Sequence, residues 1–158
     1  MDSFVNEKKI TPQVLAKIPF FREMNPEDLE LVSEKMKVLN VNEGDLIIPE
    51  GDESKSIYFI LDGTVTVFRA NYKYQTEYIY ELSAPSYFGE MAIMDGGPRS
   101  ASVEAKTNAV LAELNWNDVR ALFEDRPEIM CYIFKNIGNV ISMRLRRTNS
   151  LNSCLARA

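Results

Sequence analysis

The stretch FGEMAIMDGGPRSASVEA, from Phe88 to Ala105, brings one central acid, one arginine and several small residues together inside an otherwise apolar, strand-like context. Those residue types at that spacing suit an anion. Gly89 lets backbone approach a ligand closely, and Glu90 to Met94 can wind into one helical turn whose leading N–H groups would face a negative charge. Arg99 follows with a planar fork suited to bidentate contact with a phosphate, and Ser100 and the N–H of Ala101 would add donors to the same group. A carboxylate cannot itself hold a phosphate, so Glu90 must accept from a hydroxyl, for which a ribose 2′-OH is the natural candidate. On spacing alone a plainer reading stays open, in which Glu90 and Arg99 form a salt bridge with each other and Gly96-Gly97-Pro98 is merely a turn.

Composition removes most competing chemistry. The 158 residues hold no histidine, which excludes Ser-His and Cys-His nucleophilic pairs, His-ligated zinc and haem on a proximal histidine. Cys131 and Cys154 are too few for a thiolate metal site and form no CxxC pair, so both are expected as reduced thiols and no metal or cofactor is expected. The acids are scattered over turns and helix starts, which makes a carboxylate-metal hydrolase or transferase a poor reading, and the chain is expected not to be an enzyme. No apolar run reaches the roughly 18 residues of a membrane span, and a cytoplasmic location is expected. All 23 acidic residues lie at or before Glu128, whereas Lys135, Arg144, Arg146, Arg147 and Arg157 follow it. That basic end reads as a C-terminal turn complementing the helix dipole, with contact to nucleic acid or anionic lipid as the alternative.

The elements that must position the segment are read from periodicity and turn signals. Asn25 and Pro26 open a helix as N-cap and first helical residue, Leu29, Val32 and Met36 fall on one face, and Ile18 to Phe21 form an apolar plug beside it. Between Val38 and Leu114 short β-branched and aromatic runs alternate with turns at Asn42–Asp45, Glu50–Glu53 and Asp62-Gly63. The runs are Leu46 to Ile48, Ile57 to Leu61, Thr64 to Phe68, Glu77 to Leu82, Ser102 to Ala105 and Val110 to Leu114. In the second, Ile57, Phe59 and Leu61 share a face, a period of two that suits a roll or barrel with one face in the core. Helix returns after an Asn115 cap, and a second helix runs from Pro127 to Asn149, about 34 Å at 1.5 Å per residue. Its stripe of Met130, Phe134, Ile137, Ile141 and Leu145 either pairs with a twin subunit or folds back on its own roll.

The segment Phe88–Ala105 resembles the phosphate-binding cassette of cyclic nucleotide-binding domains, with Phe88, Gly89, Glu90, Ala92, Pro98, Arg99, Ala101 and Val103 all matching the pattern. Gly44 to Phe68 resembles that family's first strands and glycine turns, and the resemblance extends over about Ile18 to Asn149. It implies a mainly β fold with flanking α: an eight-stranded β-roll (a double-stranded β-helix, or jelly roll) with an N-terminal helix and a long C-terminal helix. Residues 1–17 would be an N-terminal extension, 18–149 the domain and 150–158 a tail. The ligand would be cAMP or cGMP, with Glu90 on the ribose 2′-OH, Arg99 on the cyclic phosphate, and Phe88, Gly89, Met91, Ala92, Pro98, Ser100 and Ala101 around them. The C-terminal end resembles the bacterial catabolite activator branch, where the long helix dimerises and reaches the purine, which makes Thr148 a candidate base contact. Two departures stand out: Pro85-Ser86 takes the place of the glycine-acid pair usual before the cassette, and no helix-turn-helix follows Asn149, so the chain itself is not expected to read DNA sequence. Ser100 directly after the arginine leans toward cAMP. The implied function is a stand-alone sensor that signals through its C-terminal helix to an effector protein or a twin subunit. The alternatives are a ligand-independent adaptor and a cyclic di-GMP binder.

Overall fold

The computed structural model describes residues 9–70 and 75–155, with side chains described to residue 150; the Cys154 thiol, Arg157 and the first eight residues of the expected extension lie outside this set. A short helix α1 (Pro12–Ala16) and a 3-10 turn (Pro19–Phe21) lead into α2 (Pro26–Lys35). Asn25 caps α2 as its sequence demands, its side-chain oxygen accepting from the Asp28 N–H at 2.8 Å, with Glu27 and Asp28 at the positive end of the helix dipole.

Eight strands follow among the described residues: β1 (Lys37–Val41), β2 (Leu46–Ile48), β3 (Ser56–Asp62), β4 (Thr64–Ala70), β5 (Thr76–Ser83), β6 (Ser86–Phe88), β7 (Ser102–Ala105) and β8 (Ala109–Asn115). They form two four-stranded antiparallel sheets, ordered β1-β8-β3-β6 and β2-β7-β4-β5. A single turn, α3 (Met91–Met94), lies between β6 of the first sheet and β7 of the second, and α4 (Trp116–Asp125) and α5 (Pro127–Leu155) follow β8. The turn at Gly63 is possible only without a side chain: φ is 89°, and a Cβ there would stand 2.6 Å from Ala109 Cβ and from the Asn108 carbonyl oxygen.

The expectation of one buried face per strand is corrected at β3. Tyr58 and Ile60 join Val65, Val67, Phe88, Val103 and Leu111 in a cluster between the sheets, while Ile57 and Phe59 join a second, larger cluster under the helices. Ser56 through Ile60 are therefore buried without interruption, because one sheet has interior on both sides. The larger cluster contains the expected plug: Phe20 meets Phe21, Phe59 and Tyr87 at centroid distances of 4.9, 5.2 and 4.9 Å. Ile10 and Leu15, from the segment read as an extension, are buried in it as well.

Helix α5 runs to Leu155, past the expected end at Asn149, and its stripe turns mostly inward. Met130 and Ile137 are buried, and Phe134 and Ile141 are partly buried against the same core, leaving Leu145 at 59% exposure. Of the two readings of the stripe, folding back holds for its first four members, which pack against the chain's own domain. Tyr132 and Asn136 tie the helix to the plug by donating to the Phe20 carbonyl at 2.9 and 3.0 Å.

Candidate functional site

A cavity of about 290 Å³ opens between the second sheet, the segment after β6 and the side of α5. Of the residues singled out in the sequence, Phe88, Gly89, Glu90, Met91, Ala92, Arg99, Ser100 and Ala101 line it, joined by Val67, Tyr80 and Val103 among others. Pro98 is exposed outside the lining, and Thr148 is exposed one turn beyond the cavity, its hydroxyl donating to the Arg144 carbonyl at 3.1 Å. The structure brings the cassette together and leaves those two aside.

Phe88 ends β6 with its ring stacked on Tyr58 at 5.2 Å and 14°. The next residue needs no side chain: Gly89 has φ of 86°, and a Cβ would lie 2.7 Å from the Ser56 carbonyl oxygen and 2.9 Å from Arg99 Nη1. That close approach seats the arginine. Arg99 Nη1 donates to the Gly89 and Ser56 carbonyls at 2.8 and 3.0 Å, and its Nε and Nη2 reach the Ser54 hydroxyl at 3.4 and 3.3 Å. At 4% exposure it is held by neutral acceptors, with no carboxylate within salt-bridge distance among the described residues. Burial pulls its guanidinium below the usual arginine range, opposed by the more distant negative groups around it. A buried cation with neutral partners has charge left that an anion at the cavity wall could balance.

The plainer sequence reading, a Glu90–Arg99 salt bridge, is replaced by a different pairing. Glu90, 2% exposed at the start of α3, accepts from Arg144 Nη1 of α5, and Arg144 Nη2 also donates to the Tyr87 carbonyl at 3.2 Å. The Arg144 guanidinium lies 5.7 and 5.9 Å from the ring centroids of Tyr80 and Tyr87. Burial raises both phenols above their ordinary range. Sequence reasoning places Arg144 in the basic end and, by resemblance to the activator branch, in the stretch before Thr148 that reaches the purine; it does not pair Arg144 with Glu90. The available signal was helical spacing: Arg144 follows Ile137 and Ile141 at seven and three residues, on the face turned to the domain, whereas Leu145 falls outside it.

A polar path runs outward from Arg99. The Ser56 hydroxyl donates to Glu113 Oε1 at 2.7 Å, Tyr58 OH donates to the same oxygen at 3.3 Å, and Asn115 Nδ2 donates to Ser56 Oγ at 3.4 Å. Asn115 is also the N-cap of α4, accepting from the Asn117 N–H at 2.9 Å. The residue that shares its carbonyl with Arg99 is therefore bonded to the start of a helix packed on α5. No cluster of three or more potential metal ligands occurs among the described residues, and no helix among them is long and apolar enough to cross a membrane.

Comparison with known proteins gives the family of the chain. Residues 38–126 match the family described as cyclic nucleotide-binding domain. The chain is 32% identical over 117 residues to a cyclic nucleotide-gated potassium channel of Mesorhizobium japonicum, covering 74% of the chain and 31% of the channel. It is 25% identical over 138 residues to a CRP-like cAMP-activated global transcriptional regulator of Mycobacterium tuberculosis, covering 87% of the chain and 60% of the regulator. The chain thus spans less than two thirds of either protein. Among solved structures, the Thermus thermophilus catabolite activator protein superposes with a TM-score of 0.73 at 28% identity, over 87% of this chain and 63% of that one. With residues 38–126, more than half of the chain, matched by that family, the chain belongs to the cyclic nucleotide-binding domain family.

Proposed function

We propose that the cavity binds a single purine nucleoside 3′,5′-cyclic monophosphate, cAMP or cGMP, and that α5 reports its occupancy. The observation that carries this reading is Arg99, buried at 4% exposure on neutral acceptors at the cavity wall, next to Ser100 and Ala101. The cyclic phosphate takes the Nε–Nη2 edge of that guanidinium, displacing the long contacts of 3.4 and 3.3 Å to the Ser54 hydroxyl, and the ribose 2′-OH donates to Glu90. A volume of about 290 Å³ lies at the lower edge of ligand pockets, roughly 300–1,000 Å³, which favours one nucleotide over cyclic di-GMP. The two sheets are read as the eight-stranded roll of the family, and the module acts by regulation rather than catalysis.

Signalling follows from the Glu90–Arg144 pair. A ribose hydroxyl that donates to the Glu90 oxygen engaged by Arg144 weakens that bond, so the ligand favours a position of α5 in which Arg144 is released over the one in which it is bound. Only such a difference in affinity can shift α5. The exposed half of α5, with Met143 and Leu145 uncovered, is the surface offered to an effector or a twin subunit.

The test is thermal unfolding and calorimetric titration with cAMP, cGMP and cyclic di-GMP, on the parent chain and on Arg99→Ala. Ligand at 100 times its Kd adds about 2.7 kcal/mol of stability. The variant should lose at least about 2 kcal/mol of binding, because the phosphate is left without its main counter-charge. Equal affinity in both proteins would remove Arg99 from the site, and no response to any nucleotide would favour the ligand-independent adaptor.

A further inference from the structure

The phosphate and ribose assignments leave one cavity arginine unused. Arg69 stands near the end of β4, two residues beyond Val67, and the inward face of that strand is marked by Val65 and Val67, both buried between the sheets. The pleat puts Arg69 on the same face, and it lines the cavity. On the neighbouring strand the ladder skips Ile79: Val67 faces Tyr80 and Phe68 faces Tyr78. A bulge of this kind re-aims side chains, and the consecutive residues Ile79 and Tyr80 both line the cavity beside Arg69. With phosphate and sugar on the cassette, the β4–β5 wall is the surface left for the base.

The charge on that wall is one-sided: of the lining residues that β4 and β5 contribute, Val67, Arg69, Ile79 and Tyr80, Arg69 is the one cation and none is an anion. Arginine only donates, through several N–H groups in a fixed fork. A 6-oxopurine offers two adjacent acceptors, N7 and O6, whereas a 6-aminopurine offers one acceptor and one donor. The cavity is lined by Arg69, Arg99 and Arg144 but by a single carboxylate, Glu90, which Arg144 engages and which the ribose requires. No carboxylate among the lining residues is left to accept from an adenine amino group. The contact recorded for Arg69 is between its Nε and Glu77 Oε2 at 3.4 Å, with both side chains about half exposed, at 53% and 49%. Such a pair orients the fork without locking it.

We propose that Arg69 is a specificity-determining residue that reads the N7–O6 edge of the base, so that the site prefers a 6-oxopurine cyclic nucleotide to cAMP. This rests on the cyclic-nucleotide reading of the cavity and reverses the lean toward cAMP that Ser100 alone suggests.

The experiment titrates cGMP, cIMP and cAMP calorimetrically into the parent chain, Arg69→Ala and Arg69→Lys. cIMP carries the 6-oxo group without the 2-amino group of guanine. The parent should bind cGMP and cIMP each about tenfold tighter than cAMP. Arg69→Ala should bring all three within about threefold by weakening cGMP and cIMP while leaving cAMP unchanged, and Arg69→Lys should lose the preference as well, since a point charge lacks the fork. Equal or tighter binding of cAMP by the parent overturns the proposal. So does a uniform loss for all three ligands in Arg69→Ala, which would assign Arg69 to the phosphate, or tight cGMP with weak cIMP, which would assign recognition to the 2-amino group. In each of those cases the cavity reading survives; failure of every nucleotide to bind the parent would remove both.

Discussion

Arg144 of α5 and Glu90 at the start of α3 are bonded to each other across 54 positions of sequence, joining the last helix to the wall of the cavity. Glu90 is almost fully enclosed, with its side chain 3% exposed, and Arg144 is 32% exposed, so the pair is buried at one end and wet at the other. Removing the guanidinium strands a buried carboxylate. Arg144→Ala should therefore destabilise the fold by about 1–3 kcal/mol, below the 3–5 of a fully buried pair because water reaches the arginine side. Adding Glu90→Gln to that variant should recover part of the loss. Urea unfolding of the two single variants and the double variant checks this, and a loss under about 0.5 kcal/mol in Arg144→Ala would show that the pair holds nothing.

Gly89 and Gly138 should respond to alanine with opposite signs. At Gly89 a Cβ meets the Ser56 carbonyl oxygen and the Arg99 guanidinium below 3.0 Å, in a left-handed conformation. Gly89→Ala should cost about 1–3 kcal/mol of stability and weaken cyclic nucleotide binding, since Arg99 must move. At Gly138, within α5, a Cβ meets nothing within 4 Å, and Gly138→Ala should add about 0.4–1 kcal/mol. Thermal midpoints of both variants, with a nucleotide titration of the first, decide the matter.

Much of this architecture was legible in the residues themselves. The Asn25 and Asn115 caps, the run Leu46–Ile48 and the run Ser102–Ala105 were read where they stand, because caps and β-branched runs are local signals. The strands β1 and β6 were not: Lys37–Val41 pairs only with β8, far along the chain, and Ser86–Phe88 is three residues long. In the site, Gly89, Glu90 and Arg99 declared themselves by type and spacing, and Arg144, Ser56 and Arg69 did not. Their roles arise from contacts between distant segments, such as Ser56 with Glu113, which no window of sequence contains.

Alkaline pH should weaken the fold through its enclosed tyrosines. Burial raises the phenols of Tyr58, Tyr80 and Tyr87 above the ordinary value of about 10, with Glu113 adding to the effect at Tyr58. Below about pH 10 both states keep these protons, and stability is unaffected by them. Above it the unfolded chain releases them first and binds fewer protons than the folded one, so stability falls as pH rises. Urea midpoints measured between about pH 9 and pH 11 should decline, and Tyr87→Phe should make the decline shallower. A flat profile would show that these phenols ionise without unfolding.

The cap of α4 offers a test of the path that leaves Arg99. Asn115 accepts from the Asn117 N–H and donates to Ser56 Oγ, so Asn115→Ala removes both bonds. A cap alone is worth about 1 kcal/mol. Hydrogen exchange should quicken in the first turn of α4, and addition of cyclic nucleotide should restore protection only partly, because Ser56 no longer connects the two. Unchanged exchange in that turn would show that the cap carries no stability.

The uninterrupted burial of β3 also bears on how the strand finds its place. A strand with one wet face is fixed in register because a slip of one residue would drive its apolar side chains into water. Tyr58 and Ile60 face one interior and Ile57 and Phe59 the other, so a slip would exchange one apolar set for another and that penalty largely disappears. Alignment falls instead to the ends of the strand. Ser56 is matched to Glu113 and Asn115 by hydrogen bonds at one end, and at the other Leu61 is skipped where Ile60 pairs with Leu111 and Asp62 with Val110, just before the tight turn at Gly63. The polar end of β3 beside the cavity thus doubles as a registration mark for its pairing with β8.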